Sequence, residues 1–308
     1  MRCRFLIVLG AASVALLASC QGSPPDSGRS ATPTVASTPF AEPPDVVAVG
    51  DIACPPGDPP TETRCQHAAT AGVVESLEPE AVLVLGDAQY DRGELADFRE
   101  SYDDSWGELL SITRPVPGNH EYMTNGASGY YTYFAGQQPG PPGYYAFNIG
   151  DWRLYALNDQ CAHIDCADEV DWLRSDLAAN RRACTLMYMH EPLVSSGAVH
   201  GNNISARPFW QAAYAENVDI ALAGHDHHYE RFALLDPDRA AASDGIQSFV
   251  VGTGGKSLYE LGAAKSGSVV RDDEHHGVLA LRLGDEAYKW KFVTTVGTVT
   301  DSGAEDCR

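Results

Sequence analysis

The chain has 308 residues, enough for one large domain or two small ones, with 42 acidic residues against 21 basic and a net charge of -21. So acidic a surface repels polyanions. It excludes nucleic acid polymers and anionic lipid surfaces as natural partners, and leaves room for a small phosphate ester held at a metal.

The chain opens on "MRCRFLIVLGAASVALLASC", a basic start, an apolar stretch and small residues before a cysteine. This reads as an export signal, residues 1–19, too short and weakly flanked to span a membrane. "LASC" resembles the lipobox of bacterial lipoproteins, which implies cleavage before Cys20 and lipid attachment to it. The alternative is an ordinary cleaved signal, giving a secreted protein. Without residues 1–19 the basic residues number 19 against 42 acidic, and the net charge is -23. Residues 20–43, rich in Ser, Thr, Pro and Gly, lack apolar periodicity and are expected to form a disordered tether. The folded domain is expected over 44–308.

Six cysteines remain in the exported chain: Cys54, Cys65, Cys161, Cys166, Cys184 and Cys307. An even count outside the cell implies disulfides. Sequence cannot choose among the possible pairings. Short loops favour Cys54–Cys65 and Cys161–Cys166, which leaves Cys184 for Cys307. No cysteine pair has zinc-finger spacing with histidines.

"DVVAVGD" and "AVLVLGD" are short valine-rich runs of the kind buried on both faces of a parallel sheet. "RCQHAATAGVVESL" between them has helical spacing, which makes a βαβ unit. A second helix is predicted over 95–111. "YYAFNIGDWRLYALN" reads as a hairpin, and 168–180 as an amphipathic helix with Val170, Leu173 and Leu177 on one stripe. Strand "CTLMYMHEP", helix "RPFWQAAYAENV" and strand "DIALAGHDHH" follow, and then a β-rich tail. The expected fold class is α/β: a four-layer α/β/β/α sandwich of two mixed sheets with helices outside.

Five polar clusters each end an apolar run: "VGDIA", "LGDAQY", "PGNHE", "MYMH" and "AGHDHH". In open α/β sheets the C-terminal strand ends bind ligands. Chain order therefore brings Asp51, Asp87, Tyr90, Asn119, His120, His190, His225 and His227 to one rim. Apart from His120, these two Asp, one Tyr, one Asn and three His form an oxygen and nitrogen set that suits Zn, Fe and Mn. These are too many ligands for one tetrahedral ion. With one carboxylate bridging they fill two sites, and two ions about 3.5–4 Å apart form the usual clamp for attack at phosphorus. An extended segment would let His225 and His227 face the same way and reach adjacent ions. The glycines before Asp51, Asp87, Asn119 and His225 are expected to permit tight turns at the strand ends.

In this order the clusters resemble the calcineurin-like metallophosphoesterase superfamily, and within it the purple acid phosphatases, whose pattern is GDxG, GDxxY, GNH(D/E), VxxH, GHxH. The resemblance covers about residues 45–260. Ala53 stands where the family often has Gly, and Met187 where it has Val; neither is a ligand. The resemblance implies a ferric ion held by Asp51, Asp87, Tyr90 and His227. It implies a divalent Zn, Mn or Fe held by Asp87, Asn119, His190 and His225, with Asp87 bridging. It further implies hydrolysis of phosphate monoesters by a metal-bound hydroxide. His120 would bond the phosphate or protonate the leaving group, and His200, ten residues after His190, is a candidate general acid by offset. A phosphodiesterase on the same centre, or a metal-loaded surface binding protein without turnover, are the alternatives.

His228 is expected to pack or to support the ligands. His67, His275 and His276 are expected at the surface, and Trp172 and Trp210 in the core. Tyr130, Tyr131 and Tyr144 line a substrate entrance or pack. "NIS" at Asn203 matches a glycosylation acceptor that an exported bacterial lipoprotein leaves idle. "VVGTGGKS" lacks the spacing of a phosphate-binding P-loop.

Overall fold

A computed structural model describes residues 44–308. The predicted signal, Cys20 and the tether lie outside the described residues. Among the described residues thirteen strands run, in chain order, as β1 (Val46–Val49), β2 (Ala81–Leu85), β3 (Thr113–Val116), β4 (Tyr145–Ile149), β5 (Trp152–Ala156), β6 (Thr185–Tyr188) and β7 (Ile220–Ala223). They continue as β8 (Tyr229–Leu235), β9 (Ile246–Val251), β10 (Ser268–Asp272), β11 (Gly277–Leu283), β12 (Ala287–Thr294) and β13 (Val299–Asp306).

They form two mixed sheets, ordered β13-β12-β11-β1-β2-β3 and β10-β8-β9-β7-β6-β5-β4. In the first sheet β1, β2 and β3 are parallel. In the second, β5, β6, β7 and β9 are parallel. The remaining pairings are antiparallel, including the predicted hairpin of β4 and β5. Period two decides which face each side chain joins. Leu154, Leu186, Tyr188, Ile220 and Leu222 enter the core shared with the valines of β1 and β2. Their neighbours Tyr155, Met187 and Ala221 enter a second core with Leu173, Leu177, Phe209 and Trp210. The second core is therefore capped by the helices Cys166–Ala179 and Arg207–Ala215. Asp165 starts the first of these by accepting the N–H groups of Ala167 and Asp168, as an N-cap should.

The predicted helix over 95–111 is helical to residue 112 but irregular. A π-helical turn, Phe98–Tyr102, and a 3-10 segment, Gly107–Ile112, interrupt it. Cys54–Cys65, Cys161–Cys166 and Cys184–Cys307 are bonded. Among the described residues no helix is long and apolar enough to cross a membrane.

Candidate metal centre

The first five clusters do sit past the C-terminal ends of parallel strands β1, β2, β3, β6 and β7. The local geometry differs from the expectation in two ways. Strand β7 stops at Ala223, so 224–228 is a loop and not an extended segment. His225 has φ +70°, which breaks the alternation that the spacing of His225 and His227 implied. The glycines are also there for a different reason. Gly86 has φ +82°, but the other tight backbone is at the polar residues themselves, Asp51 at φ +63° and Asp87 at φ +48°. Gly118 and Gly224 instead permit close approach. A Cβ at Gly118 would lie 2.2 Å from Asp87 Oδ1, and one at Gly224 2.6 Å from Asp51 Oδ2.

Glu121, fully buried, fixes these turns from beneath. Its carboxylate accepts the N–H groups of Asp87 (2.9 Å), Gln89 (3.3 Å) and Gly118 (2.7 Å). Burial and the neighbouring Asp87 carboxylate push its pKa up to about 8. It thus ties the turn after β2 to the turn after β3.

The side chains converge in two groups. In the first, the Tyr90 hydroxyl lies 2.8 Å from Asp51 Oδ1, 2.9 Å from Asp87 Oδ2 and 2.9 Å from His227 Nε2. In the second, His190 Nε2 lies 3.0 Å from Asn119 Oδ1, 3.2 Å from His225 Nδ1 and 3.3 Å from Asp87 Oδ2. Asp87 Oδ2 belongs to both. Asp51, Asp87, Tyr90, His190 and His227 are buried, while Asn119 and His225 are half-buried.

Hydrogen counting shows what these groups lack. His190 Nδ1 lies 2.8 Å from the Leu85 carbonyl, so we assign its proton there. Its Nε2 then turns a lone pair toward other acceptors. The single Tyr90 hydrogen can satisfy one of its three acceptors. Burial and the Asp51 and Asp87 carboxylates hold the phenol well above its ordinary pKa. Burial, His190 and His200 press His225 down to about 3, keeping its ring neutral. Burial opposes a charge on His190 while the Asp87 carboxylate favours one, so positive charge belongs between His190 Nε2 and Asp87. Buried acceptors facing acceptors are costly unless cations lie between them. The donor set fits two cations with Asp87 shared.

His120 borders Tyr90 and Asp87, and His200 borders His225. The His120 ring lies 4.3 Å from that of Tyr90, its Nδ1 is 2.5 Å from the Asp91 carbonyl, and its N–H donates to Asp87 Oδ1 at 2.9 Å. The exposed His200 ring lies 4.0 Å from that of His225. His228 is buried away from the site, with Nε2 3.4 Å from Glu230.

The structure also places the other predicted residues, and corrects the expectations for His276, His67 and Trp172. His276 is buried rather than at the surface, because its segment packs beneath Thr253, whose hydroxyl donates to Gly277 O. His67 is half-buried at the start of its helix, and His275 pairs with Asp272. Tyr130 packs in the core and Tyr144 against a half-buried Trp172. Asn203 accepts the Ser205 N–H and donates to Glu191.

The segment "VVGTGGKSLY", set aside as a failed P-loop, lies at the site. Lys256 Nζ sits 4.8 Å over the Tyr90 ring, Ser257 Oγ is 2.9 Å from His227 Nδ1, and Tyr259 stacks on His227 at 3.9 Å. The signal was present: it is a sixth polar cluster ending an apolar run, and β9 is parallel to β7.

Residues 44–229 match the calcineurin-like phosphoesterase family. The chain belongs to that family. Purple acid phosphatase 21 of Arabidopsis thaliana is 29% identical over 207 residues, 60% of this chain and 46% of the relative. An uncharacterized protein of Mycobacterium tuberculosis is 32% identical over 190 residues, 51% of this chain and 36% of that protein. The chain thus spans less than half the length of these curated relatives. In structure it resembles purple acid phosphatase PPD1 from yellow lupin, with TM-score 0.68, 18% identity and 85% of this chain matched to 53% of that one. It also resembles GAP50, the anchor in the inner membrane complex of Plasmodium, with TM-score 0.63, 14% identity and 85% of this chain matched to 88%. These two likenesses support the fold. Asp87, His190 and His225 each offer a ligand atom within 4.8 Å of the others, close enough to hold one metal ion.

Proposed function

We propose that this chain is a dinuclear-metal phosphatase that hydrolyses phosphate monoesters. The observation that carries the reading is the pair of buried acceptor groups sharing one oxygen, Asp87 Oδ2. Asp51, Asp87, Tyr90 and His227 would hold one ion, and Asp87, Asn119, His190 and His225 the other. Bound there, two cations neutralise a phosphate and lower the pKa of water that attacks phosphorus. The phenol of Tyr90 favours a ferric ion in the first position, with Zn, Mn or Fe in the second. Ser257 and the Leu85 carbonyl fix the outer nitrogens of His227 and His190, which orients their inner nitrogens. His120 lies beside Tyr90 with its ring half-exposed, within reach of a phosphate oxygen. Three disulfides support the exported location, where thiols oxidise. Attachment through Cys20 would place the domain on the outer face of the cell membrane.

The reading is tested with metal-loaded protein on an aryl phosphate monoester and the matching diester across acidic and neutral pH. Faster turnover of the monoester is expected; faster diester turnover would make the enzyme a phosphodiesterase, and no turnover of either would leave a binding protein. Tyrosinate on ferric iron absorbs visible light, so the loaded protein should be coloured and Tyr90→Phe should lose the colour. A colourless active protein carrying only zinc would remove the ferric assignment.

A further inference from the structure

The residue between His225 and His227 reaches away from the metal centre. Asp226 is fully buried. Its Oδ2 accepts the Ser195 hydroxyl at 2.5 Å and the Gly201 N–H at 2.8 Å, and its Oδ1 accepts the His200 N–H at 3.2 Å. The loop passes so near that a Cβ at Gly197 would lie 2.3 Å from Asp226 Oδ1. Glu230 holds the next residue, accepting the Ser196 N–H at 2.7 Å and its hydroxyl at 2.6 Å. Two buried carboxylates therefore grip the loop 195–201 at its base, and one of them also grips it at His200.

What the loop carries is an imidazole at the rim, 4.0 Å from the His225 ring and 5.8 Å from Tyr259. An exposed side chain on an unanchored loop would not stay within proton-transfer distance of a leaving oxygen. We propose that Asp226 is a positioning residue for leaving-group protonation: it fixes the His200 backbone and so holds that ring over the His225 side of the site. The inference rests on the phosphatase reading above. The attacking water gives one proton to solvent and its oxygen bonds phosphorus; as the bond from phosphorus to the alcohol oxygen breaks, the alcohol oxygen takes the His200 proton. The ring regains a proton from solvent.

Asparagine at 226 keeps the size but has a single acceptor oxygen for three donors, so at least one grip on the loop is lost. In the metal-loaded protein, Asp226→Asn should slow phenyl phosphate hydrolysis on the order of 100-fold. It should leave dinitrophenyl phosphate, whose leaving group needs no proton, close to wild type. KM and metal content should hold. The double variant Asp226→Asn/His200→Ala should be no slower than His200→Ala alone. Hydrogen exchange at the His200 and Gly201 amides should quicken. Ser195→Ala, which removes one grip, should act the same way more weakly if Asp226→Asn folds poorly. Additive losses in the double variant, equal losses on both esters, loss of a metal ion or unchanged exchange would each overturn the assignment. A wild type that turns over neither ester would remove the phosphatase reading and this proposal with it; an active wild type with additive losses would remove this proposal alone.

Discussion

Replacing Asp87 by asparagine is expected to cost more activity than any other single ligand change, at least about 100-fold in kcat/KM, beyond what losing an outer hydrogen-bond partner of a metal ligand costs. The reason is that both oxygens are in use. Oδ2 faces Tyr90 at 2.9 Å and His190 at 3.3 Å, while Oδ1 accepts the His120 N–H at 2.9 Å. An amide must turn its NH2 toward one of these. Facing inward, it presents hydrogens to both cation positions; facing outward, it opposes the His120 N–H. The fold should survive, because asparagine tolerates the φ of +48° at this position and fills the same volume. The measurement is kcat/KM with metal content and thermal melting on the same preparation. A loss milder than that of Asn119→Ala would show that Asp87 is not shared between two ions.

The largest stability effect is expected at Cys184–Cys307, whose sequence separation of 123 far exceeds the 11 and 5 of the other two bonds. In the chain-entropy account a loop of this length restrains the unfolded chain by about 4–5 kcal/mol. The bond also joins the two sheets: Cys307 follows β13, the edge of the first sheet, and Cys184 precedes β6 in the second. Without it β13 keeps its pairing with β12 and the buried Asp301, which accepts from Tyr229, Arg231 and Trp290. Cys184→Ser/Cys307→Ser should therefore fold but melt roughly 10 °C lower. Melting within a degree of wild type would mean that the unfolded chain is already restrained some other way.

The order of strands and helices was legible because the apolar runs are short, valine-rich and bounded by glycine and aspartate. So was the convergence of the candidate ligands, since strand-end position and side-chain chemistry pointed to the same residues. The backbone at the site was not legible. "GHDHH" after "VDIALA" has the spacing of an extended strand. Glu121, from another turn, and Asp51, which accepts the His225 N–H at 2.8 Å, instead support left-handed residues that a propensity argument would not place there. The roles of Asp226, Glu230 and Ser257 were likewise hidden, because each acts through a residue 26 or more positions away. His276 was misplaced because an acidic neighbourhood in sequence gives no sign of what packs over it. Strand-end position also marks Lys256, Ser257 and Tyr259, which follow β9 as the first five clusters follow their strands.

One chain is expected to hold two ions through a shared Asp87. Elemental analysis of the purified protein after loading and exhaustive dialysis tests it most directly. Two ions per chain are expected for the wild type, with a marked loss at both positions in Asp87→Asn. A wild type that retains one ion or none while hydrolysing the monoester at full rate would contradict it.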